Sequence, residues 1–534
     1  MSVLLMYYGD VCIYEYVHTV KIQMISFMHV KGELMSMYGK MIVPQPCLRW
    51  QDGTVERIED TVVLEQLLTL YLNGKEFLRI VASNSQLEEF GAGFFVAAGV
   101  AQRVHSVRVD GTDIFVEADV CAKAADATGF TPAILEEGTV CPGGSMTPDE
   151  VLLLREALNA DPWERTGGLH CAALWCDHRV VMTASDIGRH NAVDKVIGYM
   201  ILHGLAPESC AFSCTGRQPA GMVTKAVNAG IPILVSRAAV TSKGIALAKV
   251  SGVTLIGFAR DREQRFTVYA HPERIPGLSV FGDPVCTVPE QFASLTDAAC
   301  GWKYAEGKTT AVGERVVREQ QVTLYLNGSV FLKTVASNDM LRELGAGFFT
   351  AAGIARSIRS VRVEGMNVYV ESDDVCHVDG EMESAGGFSP CCVSGSVAPG
   401  SLCLRPAEIF VIREAINVDA WNITGGMHCA VLYHHHRIVA TASDIGRQNC
   451  VDKVIGYMIL HQLPPEECVI GSTGRQPAGM VVKAANAGVP ILVSRAATTS
   501  AGVATADAAG VTLVCFVRPP RFTVYTHPER IAGL

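Results

Sequence analysis

The segment ASDIGRHNAVDKVIG occupies residues 184–198, and it returns almost unchanged as ASDIGRQNCVDKVIG at residues 442–456. In each copy a β-branched apolar run comes first, a polar loop with one glycine follows, and apolar residues then recur at helical spacing. This order predicts a strand, a loop and a helix that buries one face against the strand. The loop then lies at a strand end and a helix start, where free backbone N–H groups favour an anion and open α/β sheets bind ligands.

Composition limits the classes of function. The 534 residues include 54 Asp and Glu against 44 Lys and Arg, for a formal net charge of −10, and no long basic run offsets it. This balance argues against nucleic acid as the main partner. No run of about eighteen apolar residues occurs, so we expect no membrane span. The 18 cysteines are scattered without a C-x-x-C pair, which favours reduced, buried thiols in a cytoplasmic protein.

An internal repeat governs the organisation of the chain. TLYLNG at Thr69, whose Asn-Gly pair predicts a hairpin turn, recurs at Thr323. GAGFF at Gly91, within a segment predicted to be a helix, recurs at Gly345, and both repeats are 254 residues further on. Later motifs, including TGG-x-HC and RFTVY, recur with nearly the same spacing. The chain is therefore predicted to hold two tandem copies of one unit.

Each copy divides into a β-rich part, an irregular loop rich in Gly, Pro and Cys, and a part in which strands and helices alternate. Repeated strand–helix units imply a mainly parallel sheet with helices on both faces. The predicted divisions are an unassigned extension at 1–49, a first repeat at 50–278 (β-rich 50–120, loop 121–147, α/β 148–278), a linker at 279–307 and a second repeat at 308–534 (β-rich 308–375, loop 376–404, α/β 405–534).

Three strand-end loops in each copy carry an arginine, in the sequences SDIGR, TGRQP and SRAA. If the loops converge on one sheet edge, guanidinium groups beside helix starts suit a phosphate or pyrophosphate. The alternative is that each arginine pairs with a surface carboxylate, but three such loops occurring twice favour the anion site. The predicted contacts include the aspartate of the first loop and are Asp186, Arg189, Arg217, Arg237, Asp444, Arg447, Arg475 and Arg495.

Other polar residues have both a structural and a chemical interpretation. His170 and His428 each precede a cysteine, as a metal ligand or a nucleophile–base pair would, but the P-C-x-x-C of a zinc deaminase is absent. A packed histidine at a helix start is favoured, and no metal site is predicted. Asp194 and Asp452 are expected in a first helical turn, complementing the dipole. The HHH at 434–436 is expected to lie exposed on a strand turn rather than to bind a metal.

A reactive thiolate needs exposure and positive surroundings that lower its pKa. The irregular loops carry several cysteines, of which Cys391 and Cys392 in GGFSPCC are the strongest candidates. Proline and glycine keep this pair out of regular, buried structure. We therefore predict that the reactive thiol is one of these two.

Taken in order, HCAAL, SDIGRHNAVDKVIG, T-G-R…M-V-x-K, PILVSRA and GF-x-R…RF-x-VY-x-HPERI resemble the formate dehydrogenase accessory sulfurtransferase (FdhD) family. The resemblance runs through both copies, over residues 61–275 and 316–531. It implies an α/β fold with a cytidine-deaminase-like three-layer α/β/α domain and a smaller β-rich domain, present twice in tandem. Family members are homodimers, so it also implies an intramolecular pseudo-dimer of the two repeats.

The resemblance further implies a chemistry. Sulfur is carried as a cysteine persulfide received from a cysteine desulfurase, and it passes to the molybdenum of bis(molybdopterin guanine dinucleotide), the cofactor of formate dehydrogenase. That cofactor is bound as a substrate, and a guanine nucleotide is a candidate mimic. The family's cofactor-contacting stretch matches the second copy at Phe516, Val517, Arg518, Pro519, Pro520 and Arg521, and the first copy less closely at Phe258, Arg260 and Arg265.

The cysteine loop departs from the family pattern. Phe130 and Phe388 stand where its first cysteine is expected, and only the second copy has a cysteine, Cys391, near the place of the second. We therefore expect the second copy to hold the thiol and the first to bind nucleotide or act as a scaffold. The alternatives are a non-catalytic chaperone or scaffold for the molybdenum cofactor, and a nucleobase deaminase, against which the missing zinc ligands count.

Overall fold

The computed structural model describes residues 41–121, 143–159, 166–260, 263–278, 294–376, 380–382, 388–390, 397, 402–416 and 419–534. The predicted thiols Cys391 and Cys392 lie outside the described residues. In the first half of the chain the strands are β1 (Ile42–Gln51), β2 (Thr54–Val63), β3 (Gln66–Leu72), β4 (Lys75–Ala82), β5 (Ala101–Asp110), β6 (Asp113–Val120), β7 (His170–Cys176), β8 (Arg179–Asp186), β9 (Cys210–Cys214), β10 (Ile233–Ser236), β11 (Thr254–Arg260) and β12 (Arg265–Ala270). The helices are α1 (Leu87–Ala97), α2 (Pro148–Glu156), α3 (Arg189–Leu202), α4 (Ala220–Ala229) and α5 (Ser242–Ser251).

The second half repeats this order. Its strands are β13 (Thr296–Ala305), β14 (Lys308–Val317), β15 (Gln320–Leu326), β16 (Ser329–Ala336), β17 (Ser360–Glu364), β18 (Asn367–Glu371), β19 (Gly380–Met382), β20 (Phe388–Pro390), β21 (His428–His434), β22 (Arg437–Asp444), β23 (Cys468–Ser472), β24 (Ile491–Ser494), β25 (Thr512–Arg518) and β26 (Arg521–Thr526). Its helices are α6 (Leu341–Ala351), α7 (Pro406–Ala415), α8 (Asp419–Thr424), α9 (Arg447–Leu460), α10 (Ala478–Asn486) and α11 (Ser500–Ala509). Within the described ranges, none of these helices is both long and apolar enough to cross a membrane.

The β-rich part of each repeat is a four-stranded sheet covered by one helix, in the orders β4-β3-β6-β5 and β16-β15-β18-β17. The predicted Asn-Gly hairpin turn is present, with φ of 48° at Asn73 and 76° at Gly74. Both values are left-handed, as a two-residue turn between twisted strands requires. Leu68 and Leu70 on β3 pack against Phe94 of α1, so this unit has its own apolar core.

The α/β part of each repeat contains an eight-stranded sheet, in the orders β14-β13-β12-β11-β10-β9-β7-β8 and β2-β1-β26-β25-β24-β23-β21-β22. In the first sheet β9, β10 and β11 are parallel, whereas the other neighbours are antiparallel. The prediction of a mainly parallel sheet is therefore wrong. The sheet is mixed because short turns join β7 to β8 and β11 to β12 and reverse the chain.

Helices cover both faces of each large sheet. In the first repeat α3, α4 and α5 lie on one face, where Val193 and Met222 belong to one apolar cluster with Leu234 of β10. Helix α2 lies on the other face, where Leu154 shares a cluster with Val235. Neighbouring residues of β10 thus point to opposite faces, as in a strand buried on both sides. This gives three layers, whereas the kinship with cytidine deaminases stays a prediction.

The repeats exchange their edge hairpins. Hairpin β1–β2 precedes the first repeat, yet β1 pairs with β26 of the second repeat. Hairpin β13–β14 lies between the repeats, and β13 pairs with β12 of the first repeat. At these junctions Trp50 stacks on Phe522 with ring centroids 5.1 Å apart, and Tyr304 stacks on Phe266 at 5.0 Å.

This exchange corrects the predicted divisions of the chain. Strand β13 lies within residues 279–307, which the sequence had suggested as a linker, and the boundary at residue 49 falls inside β1. Strand β2, within the predicted β-rich part 50–120, belongs to the large sheet of the other repeat. The error has a physical cause. The alternation of apolar and polar residues in a hairpin indicates its two strands, but it does not indicate which distant strand the hairpin pairs with.

The two parts of each repeat meet where α1 crosses α3. A Cβ atom added to Gly198 would lie 1.7 Å from the carbonyl oxygen of Glu89, and one added to Gly93 would lie 1.8 Å from that of Asp194. The helices therefore touch backbone to backbone, which residues with a side chain do not allow. This contact fixes the start of α3, and with it the SDIGR loop, against the β-rich part.

Candidate functional site

Asp186, at the end of β8, is the centre of a buried polar network. Its Oδ2 accepts hydrogen bonds from Lys195 Nζ at 2.7 Å and from the Ser83 N–H at 3.0 Å, and its Oδ1 accepts from the Asn191 side-chain amide at 2.9 Å. The side chains of Asp186 and Lys195 are both 0% exposed. The predicted cofactor contact of Asp186 is therefore corrected, because this carboxylate faces the protein interior and offsets a buried ammonium group.

The second repeat contains the same network around Asp444. Its Oδ2 lies 2.8 Å from Lys453 Nζ, and Asp339 makes a second contact with that ammonium at 2.6 Å. Asp444 is fully buried, so its predicted cofactor contact is corrected for the same reason.

The aspartate that follows in each helix is also buried. Asp194 Oδ1 lies 2.5 Å from Lys225 Nζ, and Asp452 pairs with Lys483 at 2.8 Å. The expectation that Asp194 and Asp452 complement the helix dipole is thus wrong. Each lies beyond the first turn and ties α3 to α4, or α9 to α10.

Arg217 and Arg475 join the two repeats. Arg217 Nη1 donates hydrogen bonds to the carbonyl oxygens of Gly426 at 2.5 Å and Ile445 at 2.6 Å in the second repeat. Arg475 makes the reciprocal contacts with the first repeat, at 2.6 and 2.8 Å. These guanidinium groups, predicted as phosphate contacts, bind backbone carbonyls across the interface between the repeats.

Four arginines, two from each repeat, surround His170 and His428. They are Arg189, Arg217, Arg447 and Arg475. Burial, followed by the positive charges of these arginines, holds the pKa of both histidines well below its ordinary value. His170 Nδ1 lies 3.0 Å from the Thr215 hydroxyl. The histidines are packed as predicted, but each begins a strand, β7 or β21, rather than a helix.

A separate cavity of about 450 Å³ lies beside β24, β25 and β26 of the second repeat. Its basic residues come from β1, from the loop after β24 and from both sides of the β25–β26 turn. They are Arg49, Arg495, Arg518 and Arg521. The acidic residue in the lining is Asp60, which accepts a hydrogen bond from the Tyr525 hydroxyl. Four guanidinium groups against one carboxylate leave an excess of positive charge, and we call this space the arginine cavity.

Both repeats build the arginine cavity. Phe516, with a left-handed φ of 52°, presents its ring to the TGG loop of the first repeat, where a Cβ on Gly167 would lie 3.3 Å from the ring carbon Cε1. Thr166 and Gly167 line the cavity together with Thr473 of the second repeat. The cavity therefore exists only where the two repeats meet.

Of residues 516–521, which were predicted to contact the cofactor, only some line the arginine cavity. Phe516, Arg518 and Arg521 line the arginine cavity. Val517 is corrected, because it is fully buried in the apolar cluster under α7. Pro519 and Pro520 form the exposed turn between β25 and β26 and are not among the lining residues.

The matching edge of the first repeat has a different charge. Phe258 again has a left-handed φ, 51°, and its ring lies against Gly425 of the second repeat. In the longer β11–β12 turn, however, Glu263 forms an ion pair with Arg265 and lies 4.0 Å from Arg260. One carboxylate thus offsets both arginines that were predicted to contact the cofactor in this copy.

The six loop arginines do not form one continuous rim. Four surround the central histidines, whereas Arg495 lines the arginine cavity and Arg237 follows β10 at the matching place in the first repeat. In the second repeat the arginine cavity is adjacent to the four arginines around the central histidines. Thr473 lines the cavity, and its hydroxyl lies 3.2 Å from His428 Nδ1.

Most described cysteines are unsuited to sulfur transfer. Burial raises the pKa of Cys47 to about 11 and that of Cys429 to about 12, so these thiols stay protonated. Cys403 is the one exposed free thiol within the ranges that the structure describes, and Cys376 is partly exposed. Cys300 is disulfide-bonded, so the expectation of reduced thiols fails at that position.

The sequence places Cys391 and Cys392 directly after β20. Strand β20 pairs with β19 and lies beside α10, while β19 lies beside β4 of the first repeat. The chain therefore reaches the predicted thiols from a hairpin that contacts both repeats.

Three residues that line the arginine cavity were not predicted from the sequence, namely Arg49, Thr166 and Gly167. Arg49 fell in the unassigned extension, and the TGG loop serves the neighbouring repeat rather than its own. One local signal was present in the sequence. Asp52-Gly53 is a residue pair typical of a two-residue hairpin turn, and the structure gives these residues φ of 49° and 84°.

These features define a duplicated α/β protein whose repeats exchange hairpins and share an arginine-lined cavity. The chain belongs to the FdhD/NarQ family, whose model matches residues 63–276 and 317–532.

Each of the following relatives aligns with a segment of this chain that is about as long as one repeat. The sulfur carrier protein FdhD of Bacillus subtilis (strain 168) is 30% identical over 264 residues, covering 45% of this chain and 99% of that protein. The sulfur carrier protein FdhD of Wolinella succinogenes is 33% identical over 241 residues, covering 41% and 83% respectively. A crystal structure of a protein from Desulfotalea psychrophila is 32% identical and covers 44% of this chain and 99% of its own, with a TM-score of 0.39.

Proposed function

We propose that the protein is a sulfur carrier that binds molybdopterin guanine dinucleotide as a substrate and delivers sulfur to it for formate dehydrogenase. Its relatives in Bacillus subtilis and Wolinella succinogenes are named sulfur carrier proteins. In this proposal a cysteine desulfurase supplies the sulfur in the cytoplasm. The exchanged hairpins support a working unit that is an intramolecular pseudo-dimer.

The observation that carries the proposal is the arginine cavity. Its volume of about 450 Å³ lies in the usual range for small-molecule sites, roughly 300–1,000 Å³. Guanidinium forks match phosphate oxygens in charge and geometry, so four of them suit a diphosphate. The face of the Phe516 ring suits a planar base. The cavity size favours the guanine nucleotide end of the substrate.

We assign the diphosphate to the second repeat. There Arg518 and Arg521 flank a Pro-Pro turn without a carboxylate, whereas Glu263 offsets Arg260 and Arg265 in the first repeat. A bound phosphate would have to compete with that carboxylate. The first repeat then serves mainly to complete the cavity through Thr166 and Gly167.

Sulfur delivery needs a balanced exchange. The desulfurase converts a cysteine thiol into a persulfide, Cys–S–SH. Transfer breaks the S–S bond, forms a metal–sulfur bond and returns the cysteine as a thiol that keeps the proton. The sulfur becomes sulfide by accepting two electrons from the reduced metal of the substrate, which is oxidised by two electrons. The protein contributes the carrier thiol and the positive site that positions the substrate.

The carrier thiol is assigned to Cys391 or Cys392. The full chain would be incubated with cysteine and a cysteine desulfurase, and persulfide would be located by mass spectrometry of its peptides. We expect label on the 391–392 peptide, lost in Cys391→Ala/Cys392→Ala and kept in the matched control Cys403→Ala. Label confined to the first repeat or to Cys403, or no label, would refute the assignment.

A non-catalytic cofactor chaperone is the second candidate, favoured by the buried state of most described thiols. Complementation of formate dehydrogenase activity separates the two. A carrier loses activity in the Cys391→Ala/Cys392→Ala variant, whereas a chaperone keeps it and loses it only when the arginine cavity is altered.

A further inference from the structure

A cluster of two histidines and one glutamate lies outside the arginine cavity and outside the central histidine group. His434 is the last residue of β21, and His435 and His436 form the turn to β22 with left-handed φ of 47° and 61°. Glu467 ends a short 3-10 turn directly before β23. Because β21 and β23 are antiparallel neighbours with His434 opposite Cys468, the turn and Glu467 meet at one end of the sheet.

The ligand atoms converge on one point. His434 Nε2 lies 3.2 Å and His435 Nε2 lies 3.3 Å from the same oxygen, Glu467 Oε2. The candidate ligand atoms of all three residues lie within 4.8 Å of one another. Two ligands bonded to zinc at about 2.0–2.1 Å with a tetrahedral angle are about 3.3–3.4 Å apart. The two nitrogen–oxygen separations, 3.2 and 3.3 Å, match that edge.

Charge favours a cation at this point. The two imidazole rings have centroids 3.9 Å apart and both direct Nε2 to the same carboxylate oxygen of Glu467. A divalent cation at this point would accept an electron pair from each imidazole and from the carboxylate. We propose that His434, His435 and Glu467 bind one divalent transition-metal ion of the zinc type.

The exposure of the cluster suits a three-ligand site. The expectation that the HHH segment is exposed is wrong for His434, whose side chain is 8% exposed and is held by its neighbours, whereas Glu467 is 48% and His435 is 69% exposed. The solvent side leaves a fourth position for water, as in zinc sites with three protein ligands. The nearby Cys468 thiol donates to the Pro464 carbonyl oxygen at 3.4 Å and is not a member of the cluster.

The first repeat provides an internal comparison. Its residues at the three ligand positions are Cys176, Asp177 and Ser209, and Cys176 Sγ contacts the Ser209 hydroxyl at 3.6 Å. Among the residues of the first repeat that the structure describes, that edge holds no histidine–histidine–glutamate set. The proposed ion therefore belongs to the second repeat alone, and it would hold the β21–β22 turn to the segment before β23.

Cobalt(II) titration of the full chain after chelator treatment tests the proposal. We expect one equivalent with a tetrahedral ligand-field spectrum and no thiolate-to-cobalt charge-transfer band, displaced by zinc. Glu467→Gln and His435→Ala should each weaken this binding by at least about tenfold, in line with the loss of a ligand. The matched control is His436→Ala, which alters an equally exposed histidine that contacts Glu408 instead.

Three outcomes would overturn the proposal. They are the absence of the ligand-field spectrum, a thiolate band in its place, or equal cobalt affinity in Glu467→Gln and the wild type. Because the variants alter exposed side chains, circular dichroism should be unchanged, which separates loss of the ion from loss of the fold.

Discussion

The guanidinium of Arg475 in the second repeat donates a hydrogen bond to the carbonyl oxygen of Ile187 in the first repeat at 2.8 Å. Ile187 lies inside the SDIGR loop, between the buried Asp186 and the start of α3. An arginine from one copy thus fixes the SDIGR loop of the other, and Arg217 does the same in reverse. The repeats are therefore expected to depend on each other for the shape of both loops.

Arg475→Lys should weaken this dependence. Both carbonyls are bound by one terminal nitrogen, Nη1, and a lysine side chain places its nitrogen one bond short of that position. A buried carbonyl left without its donor costs about 1–3 kcal/mol. We expect a lower urea midpoint and faster amide exchange in β1 and β26. Arg362→Lys, at a side chain that is 60% exposed, is the control and should change neither. Equal exchange in both variants would show that Arg475 does not hold the repeats together.

Asp186→Asn should destabilise the first repeat strongly. The substitution leaves the Lys195 ammonium buried without its carboxylate at 2.7 Å, and breaking a buried pair from one side costs about 3–5 kcal/mol. Urea denaturation measures the loss. Glu76→Gln, in the exposed pair with Arg79, should change stability by less than about 1 kcal/mol. A similarly small effect of Asp186→Asn would contradict the structural role assigned to the network.

Acid stability should depend on Glu408 at the start of α7. Burial opposes its ionisation, yet hydrogen bonds from the Arg405 N–H, from His436 and from the Tyr433 hydroxyl lower the pKa of Glu408 to about 2. A carboxyl group with a lowered pKa stabilises the fold above its ordinary value of 4.5 and loses that contribution as the pH falls towards 2. The urea midpoint of the wild type should therefore fall more steeply over this range than that of Glu408→Gln. Parallel curves would argue against the lowered pKa.

Glu263→Gln should create a second anion site. Removing the carboxylate frees Arg260 and Arg265 from their ion pairs, which brings the charge of the first repeat's edge closer to that of the second. Isothermal titration with GDP should show the stoichiometry rising from one towards two per chain. Glu273→Gln, an exposed change beside His271, should leave it at one. An unchanged stoichiometry in Glu263→Gln would mean that charge alone does not distinguish the two edges.

Local pattern predicted the elements of each repeat well. The Asn-Gly turn at Asn73, the helix with the GAGFF motif and the strand–loop–helix around Asp186 all follow from residue spacing. The sequence pattern did not predict strand pairing between elements that lie far apart in the chain. Strand β1 shows a hairpin signal at Asp52-Gly53 but nothing that points to β26, so the exchange of hairpins was not predicted.

The candidate site was predicted in part for the same reason. The spacing of the SDIGR, TGRQP and SRAA loops placed their arginines at strand ends, as observed. Spacing does not reveal burial, so the ligand contact predicted for Asp186 is wrong. The contact that the family resemblance implied for Val517 is wrong for the same reason, because both side chains point into the interior. Arg49 and Gly167 reach the arginine cavity from the other repeat, a relationship that only the folded chain displays.

The most direct test of the account is GDP binding to the full chain by isothermal titration calorimetry. We expect one GDP per chain. We also expect Arg518→Ala/Arg521→Ala to weaken binding more than tenfold, since each charged hydrogen bond contributes about 1.5–3 kcal/mol. The matched double variant Arg260→Ala/Arg265→Ala should bind like the wild type. No binding, or an equal loss in both double variants, would contradict the claim that the arginine cavity of the second repeat holds the substrate's diphosphate.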